Sequence, residues 1–194
     1  MFELRHYIEA FSHLHTAKVK GHKAPHKAVL LLAIIDLVEE RGVASPRIEL
    51  SDELVDKFNK VWYHYLGTST IFTPDITKPY FHMQHESFWR LVEHEETEML
   101  MVAEDCPWIE GKMDSTGLPT RKDLPQGSYS IKAMRNAFAY AEIDNFLYQL
   151  LLNADARAML RVILINEYLT NQPTKTMPNL TQLMMALPLI ALVA

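Results

Sequence analysis

The stretch Lys27 to Arg41, KAVLLLAIIDLVEER, constrains this chain more than any other. Over most of its length it is apolar on every side of a helix rather than along one stripe, and a helix of that kind is stable only when surrounded. It is therefore expected to be the buried centre of the fold. Pro25 lies just ahead of it and Gly42 just after, the order expected for a helix start and a C′ stop. Everything else must supply faces that pack around it.

The flanking segments have that character. Leu4, Tyr7, Ile8, Phe11 and Leu14 recur at helical spacing, predicting an amphipathic first helix. Residues 18–27 read as a basic connector broken by Gly21 and Pro25. Ile48 and Leu50 alternate like a short strand, and Ser51 is a good N-cap for a helix from Asp52 to about Tyr65. Residues 67–82, with one Gly, two Pro and several Thr, predict a loop that delivers Pro79-Tyr80-Phe81. Strand-like segments follow at 87–92 and 98–103, then a Gly- and Pro-rich loop over 105–127. Helices are predicted at 131–141, 144–152 and 155–170, with Ser128 and Asn153 as caps. Phe138, Tyr140, Phe146, Tyr148 and Met159 read as core aromatic and Met positions. The fold class expected is α+β: a mainly helical single domain, residues 1–172, with a small antiparallel sheet and an apolar tail over 173–194. The tail's run LMMALPLIALVA has twelve residues broken by Pro188, short of the ~20 that cross a bilayer, so docking on the body or a partner is expected.

Composition removes several functional classes. The six glycines are never closer than six positions apart, so neither GxGxxG nor a Walker loop can be drawn. Cys106 is alone, which excludes disulfides and thiolate zinc ribbons and suits a reducing, cytoplasmic setting. The start MFELRHYIEAF does not resemble a secretion signal. Net charge is −5, yet residues 5–27 carry Arg5, Lys18, Lys20, Lys23 and Lys27 against Glu9 alone. A local basic face can still hold a phosphate backbone.

Candidate chemical sites are few. His13 with His15, His22 with His26, and His82 with His85 and Glu86 have zinc-ligand side chains, but no HExxH or cysteine pair completes a set, and no metal or cofactor is expected. Asp75, Glu110 and Lys112 supply the letters of a PD-(D/E)xK nuclease, though in loop contexts rather than on adjacent strands. Gly127-Ser128-Tyr129-Ser130 is not a nucleophile elbow. What remains is Ala24-Pro25-His26-Lys27-Ala28 at the head of the buried helix together with Lys78-Pro79-Tyr80-Phe81-His82. A helix N-terminus favours anions, and His26 and Lys27 add donors there. The plainer alternative makes Pro25 a helix-start residue and Lys27 a solvated first-turn side chain.

At these residues the chain resembles the sulfur-binding domain of phosphorothioate-dependent restriction endonucleases. The resemblance runs through Ala24-Pro25-His26-Lys27 and the following Val29 to Leu37, Leu54 to Tyr65, Pro79 to Met83 and Glu86 to Leu91. It continues in Ala139 to Asp144, Leu147, Leu151 and Ala156 to Tyr168, and covers about residues 22–103 and 128–170. It implies a module that recognises double-stranded DNA in which sulfur replaces a non-bridging phosphate oxygen. His26 and Lys27 would contact the modified backbone, while Pro79, Tyr80 and His82 wall an apolar pocket for sulfur. Lys78 stands where the family often has an aromatic residue, which moves that contact toward phosphate pairing. His22, Lys23, Arg121 and Lys122 are candidates for further phosphate or base contacts. In the family an HNH domain usually cuts; no HNH set is present here, so the chain is expected to be either a separate recognition subunit served by a nuclease partner or a piece of a longer enzyme, with no membrane role. The competing expectations are the metal-dependent nuclease and an adaptor that docks a protein partner through its tail.

Overall fold

The computed structural model describes residues 2–41, 45–67, 71–94 and 129–170. In chain order these form α1 (Phe2–Ser12), β1 (Lys18–Val19), β2 (His22–Lys23), α2 (His26–Arg41), β3 (Arg47–Ile48), α3 (Asp52–Leu66) and α4 (Thr77–His82). A 3₁₀ turn (Met83–His85), β4 (Trp89–Glu93), α5 (Ile131–Ala137), β5 (Phe138–Ile143), α6 (Asn145–Leu152) and α7 (Ala154–Tyr168) follow. The chain is a mainly helical α+β protein with small antiparallel sheets. Among the described residues no helix is long and apolar enough to cross a membrane.

Helix α2 is the centre. Every residue from Lys27 to Ile35 is buried, as is Val38, and α3, α4, α6 and α7 pack on it while α1 packs on α6 and α7. Each fully buried Leu or Ile contributes about 1.5–3 kcal/mol, and truncating one to Ala costs about 2–5 kcal/mol. Three sets of charged contacts hold α2 to its surroundings among the described residues: Lys27 with Glu86 near its start, Asp36 and Glu39 with Arg161 of α7, and Glu40 and Arg41 with Lys57 and Glu53 of α3.

Local chemistry explains the helix limits. The Ser51 hydroxyl accepts from Leu54 N at 3.2 Å, the Asp144 carboxylate from Phe146 N at 2.7 Å, and the Asn153 amide oxygen from Ala156 N at 3.0 Å. Each satisfies an N–H that a first helical turn leaves without a partner.

The three-stranded sheet has the order β3-β5-β4, antiparallel throughout. Its central strand overturns the helix expected over 131–141: α5 stops at Ala137 and Phe138 to Ile143 run as β5. Alanines at 137, 139 and 141 suit a helix locally, but Phe138, Ala141 and Ile143 are buried between strands and helices, and ladder pairing decides the conformation. The cap of α5 is Ser130, whose hydroxyl accepts from Ala133 N at 3.1 Å, rather than Ser128.

Two further segments differ from their sequence reading. The connector at 18–23 is a β-hairpin with Lys18 opposite Lys23 and Val19 opposite His22. Of the predicted loop over 67–82, residues 71–76 are irregular and 77–82 close into α4, where Pro79 falls in the first turn and its missing N–H leaves no intrahelical bond unmade. Phe138 and Tyr148 are core, but Phe146 is 58% exposed and Met159 48%. Each lies one position off the inward row of its helix, Leu147 and Leu151 in α6 and Ala156, Leu160 and Leu164 in α7. The expected strand 98–103, the loop 105–127 and the tail 173–194 lie outside the described residues.

Candidate functional site

His26 opens α2, and Val29 N donates to Pro25 O at 2.9 Å, so the helix begins at the proline. The ring packs 4.7 Å from that of Trp62 and edge-on to Phe72 at 5.8 Å. Its Nε2 lies 2.9 Å from the Thr73 carbonyl, which can only accept, so Nε2 carries the proton. Burial holds the pKa below the usual histidine value, against the raising effects of Thr73 and Asp75. The neutral ring therefore offers Nδ1 as an acceptor.

Lys27 is neither a solvated side chain nor an open cation. It is 6% exposed and its Nζ donates to Glu86 Oε1 at 2.6 Å. Glu86 Oε1 also accepts from the main-chain N–H of His15 at 2.9 Å, and Oε2 lies 3.2 Å from His15 Nδ1. Burial lowers the lysine pKa and the Glu86 contact opposes that. The Lys27 charge is thus compensated inside the protein, and the node ties α2 to the segment after α1 and to the turn after α4.

On the facing side, α4 is set by Asp75, whose Oδ1 accepts from Thr77 N at 3.0 Å and from Thr77 Oγ1 at 2.6 Å. Partial burial raises the Asp75 pKa, but the Thr77 bonds and Lys78 outweigh it and hold the carboxyl below its ordinary value. Lys78 is 61% exposed with Nζ 3.5 Å from Asp75 Oδ2. Pro79 is buried, and it belongs to the cleft wall. The His82 ring stacks with His85 at 6.0 Å and with Tyr129 at 5.8 Å, and its Nε2 lies 3.3 Å from the Tyr129 hydroxyl.

These pieces surround one cleft of about 560 Å³, with His26, Lys27, Lys78, Pro79 and His82 in its wall. Tyr80 is the exception. It is 1% exposed, its hydroxyl donates to Ile48 O at 2.8 Å, and its ring meets Trp89 edge-on, because successive helical residues point about 100° apart and Pro79 takes the cleft side. Burial raises its pKa. His22 and Lys23 are outside the cleft wall; Lys23 Nζ is 3.3 Å from Glu167 Oε2 and 4.9 Å from the Tyr168 ring. Arg121 and Lys122 lie outside the described residues, as do Glu110 and Lys112 of the nuclease pattern, while Asp75 of that pattern is engaged in shaping α4.

The wall also contains residues not singled out from the sequence as contacts: Val19, Ile71 and Phe72 as apolar surface, and His15 and His85 as imidazoles. Glu86 was visible only as part of a motif, since nothing local tells an acid that neutralises a buried lysine from an exposed one. Among the described residues no three His, Cys, Asp or Glu side chains converge as metal ligands.

No family model matches the sequence, and no curated protein matches it. The cleft itself combines an apolar flank with imidazoles, a helix N-terminus and a rim lysine paired with the Asp75 carboxylate. That set suits an anion one side of which is poorly hydrated.

Proposed function

We propose that this protein is a recognition module for double-stranded DNA carrying a phosphorothioate, working in a cytoplasmic restriction system in which a nuclease partner makes the cut. The observation that carries the reading is the meeting of His26, from the start of α2, with Pro79 of α4 in one cleft rimmed by Lys78. Sulfur is larger and less strongly hydrated than oxygen, so a wall of Pro79, Phe72 and Ile71 accepts it at little cost. An ordinary phosphate oxygen against the same wall loses water without gaining a donor, a penalty of about 1–3 kcal/mol. That corresponds to about 5- to 150-fold in affinity.

The roles divide accordingly. The α2 N-terminus and Lys78 attract the charged backbone, the neutral His26 ring forms part of the wall beside Pro79, and the apolar flank provides discrimination. His82 contributes an imidazole on the α4 side. Lys27 acts by positioning: its ammonium is held by Glu86, and it fixes the helix start from which His26 projects.

The test is a binding titration with matched duplexes, with and without one phosphorothioate, at two salt concentrations. The sulfur-bearing duplex binds at least fivefold more tightly at both. Pro79→Glu removes the preference, and the exposed Lys78→Glu lowers affinity without disturbing the far-UV spectrum. Equal affinity for the two duplexes, or a preference that survives Pro79→Glu in a folded protein, refutes the reading.

A further inference from the structure

We infer that the Lys18–Lys23 hairpin is a second DNA contact, a finger beside the cleft that brings Lys20 and Lys18 onto neighbouring phosphates and supplies affinity independent of sulfur. This rests on the reading of the cleft as a DNA site.

The hairpin is built to present its tip. Lys20 and Gly21 are its two loop residues, with φ of 50° and 84°. Both positive values belong to a type I′ turn, whose first central position ordinarily goes to Asn, Asp or Gly. Here a lysine takes the left-handed conformation that side-chain-bearing residues avoid, so the sequence keeps a cation at the apex against local preference. A Cβ placed on Gly21 would meet no atom within 4 Å, and residues 18–21 are exposed. The apex stands clear of the body.

The root is fastened. Ala24 N donates to Ala17 O at 2.7 Å, and Lys23 reaches Glu167 and the Tyr168 ring at the end of α7. Lys23 is thereby a structural cation, and Lys18 and Lys20 are the ones presented outward. No acid occurs between Lys18 and Lys23.

The hairpin is also continuous with the cleft. Val19 is 40% exposed and belongs to the cleft wall, so the apex begins one residue beyond it, about 3.3 Å further along the strand. Duplex DNA carries one charge per ~1.7 Å of axis, so a backbone group in the cleft leaves further phosphates within a lysine's reach of the apex. A protein of net charge −5 must draw DNA to one face. The hairpin extends the cationic rim that Lys78 begins.

The experiment compares the full chain with Lys18→Gln/Lys20→Gln on both duplexes across a salt series. The variant keeps its far-UV spectrum and melting temperature, binds both duplexes more weakly by the same factor, at least about fivefold, and preserves the sulfur preference. Two lost phosphate contacts make the slope of log affinity against log salt shallower by about two units. If the parent prefers the sulfur-bearing duplex and the variant keeps its affinity and salt slope, the finger is refuted and the cleft stands. A parent that binds neither duplex overturns both.

Discussion

Removing either partner of the buried Lys27–Glu86 pair should destabilise the protein strongly, and removing both together should restore most of the loss. Both side chains are almost sealed from water, 7% and 5% exposed, at 2.6 Å. Breaking such a pair from one side leaves a buried charge without its counterion and costs about 3–5 kcal/mol. Lys27→Met sits at the lower end, about 3 kcal/mol, because Glu86 keeps the His15 N–H and imidazole. Glu86→Leu sits at the upper end, about 5 kcal/mol, since it strands an ammonium and also orphans the His15 N–H. For a chain of this size that is a fall in Tm of about 6–12 °C and 10–20 °C respectively. In Lys27→Met/Glu86→Leu no buried charge is stranded: the His15 N–H lacks its partner, a cost of about 1–2 kcal/mol, and the exposed His15 ring exchanges Glu86 for water. Urea unfolding followed by tryptophan fluorescence, with calorimetry at pH 7, gives all three values. A double variant whose loss equals the sum of the single losses refutes the argument that the two charges compensate each other.

Two other outcomes follow from the site. Tyr80→Phe removes a hydroxyl bonded to the Ile48 carbonyl, so it lowers stability by about 1–2 kcal/mol in urea melts while leaving the preference for sulfur-bearing DNA unchanged; a lost preference would return Tyr80 to the cleft. His26 has a folded pKa below the ordinary histidine value of 6.5, chiefly through burial, so the unfolded chain takes up the proton first. Stability therefore falls as pH drops below about 6.5 and levels off below the folded pKa. His26→Gln flattens that part of a urea-midpoint series between pH 5 and 8, and an unchanged slope contradicts the assignment.

The sequence announced α2, α3 and α7 through periodicity and capping side chains, because those signals act within a few residues. It misread α4 and β5, whose conformations depend on partners far along the chain: Tyr80 reaches Ile48, and β5 pairs with Trp89 to Glu93. The same distinction runs through the site. His26, Lys78, Pro79 and His82 were named from motifs and share the cleft wall, whereas the fate of Lys27 was hidden because its counterion is 59 positions away. Tyr80 was misplaced because adjacency to Pro79 says nothing about which way a helical side chain turns. The hairpin was missed because lysine is a poor signal for a left-handed turn.

Helix α2 is greasy around its whole circumference, so turning it about its axis trades one apolar contact for another of similar worth. Hydrophobicity places such a helix in the middle without telling it which way to face. The rotation angle is keyed by the polar residues it carries, Lys27 on Glu86 at one end, and Asp36 on Arg161 with Glu40 and Arg41 on α3 toward the other. Since His26 directly precedes the first key, the azimuth of a spindle that is otherwise featureless is also the aim of the imidazole it carries into the cleft.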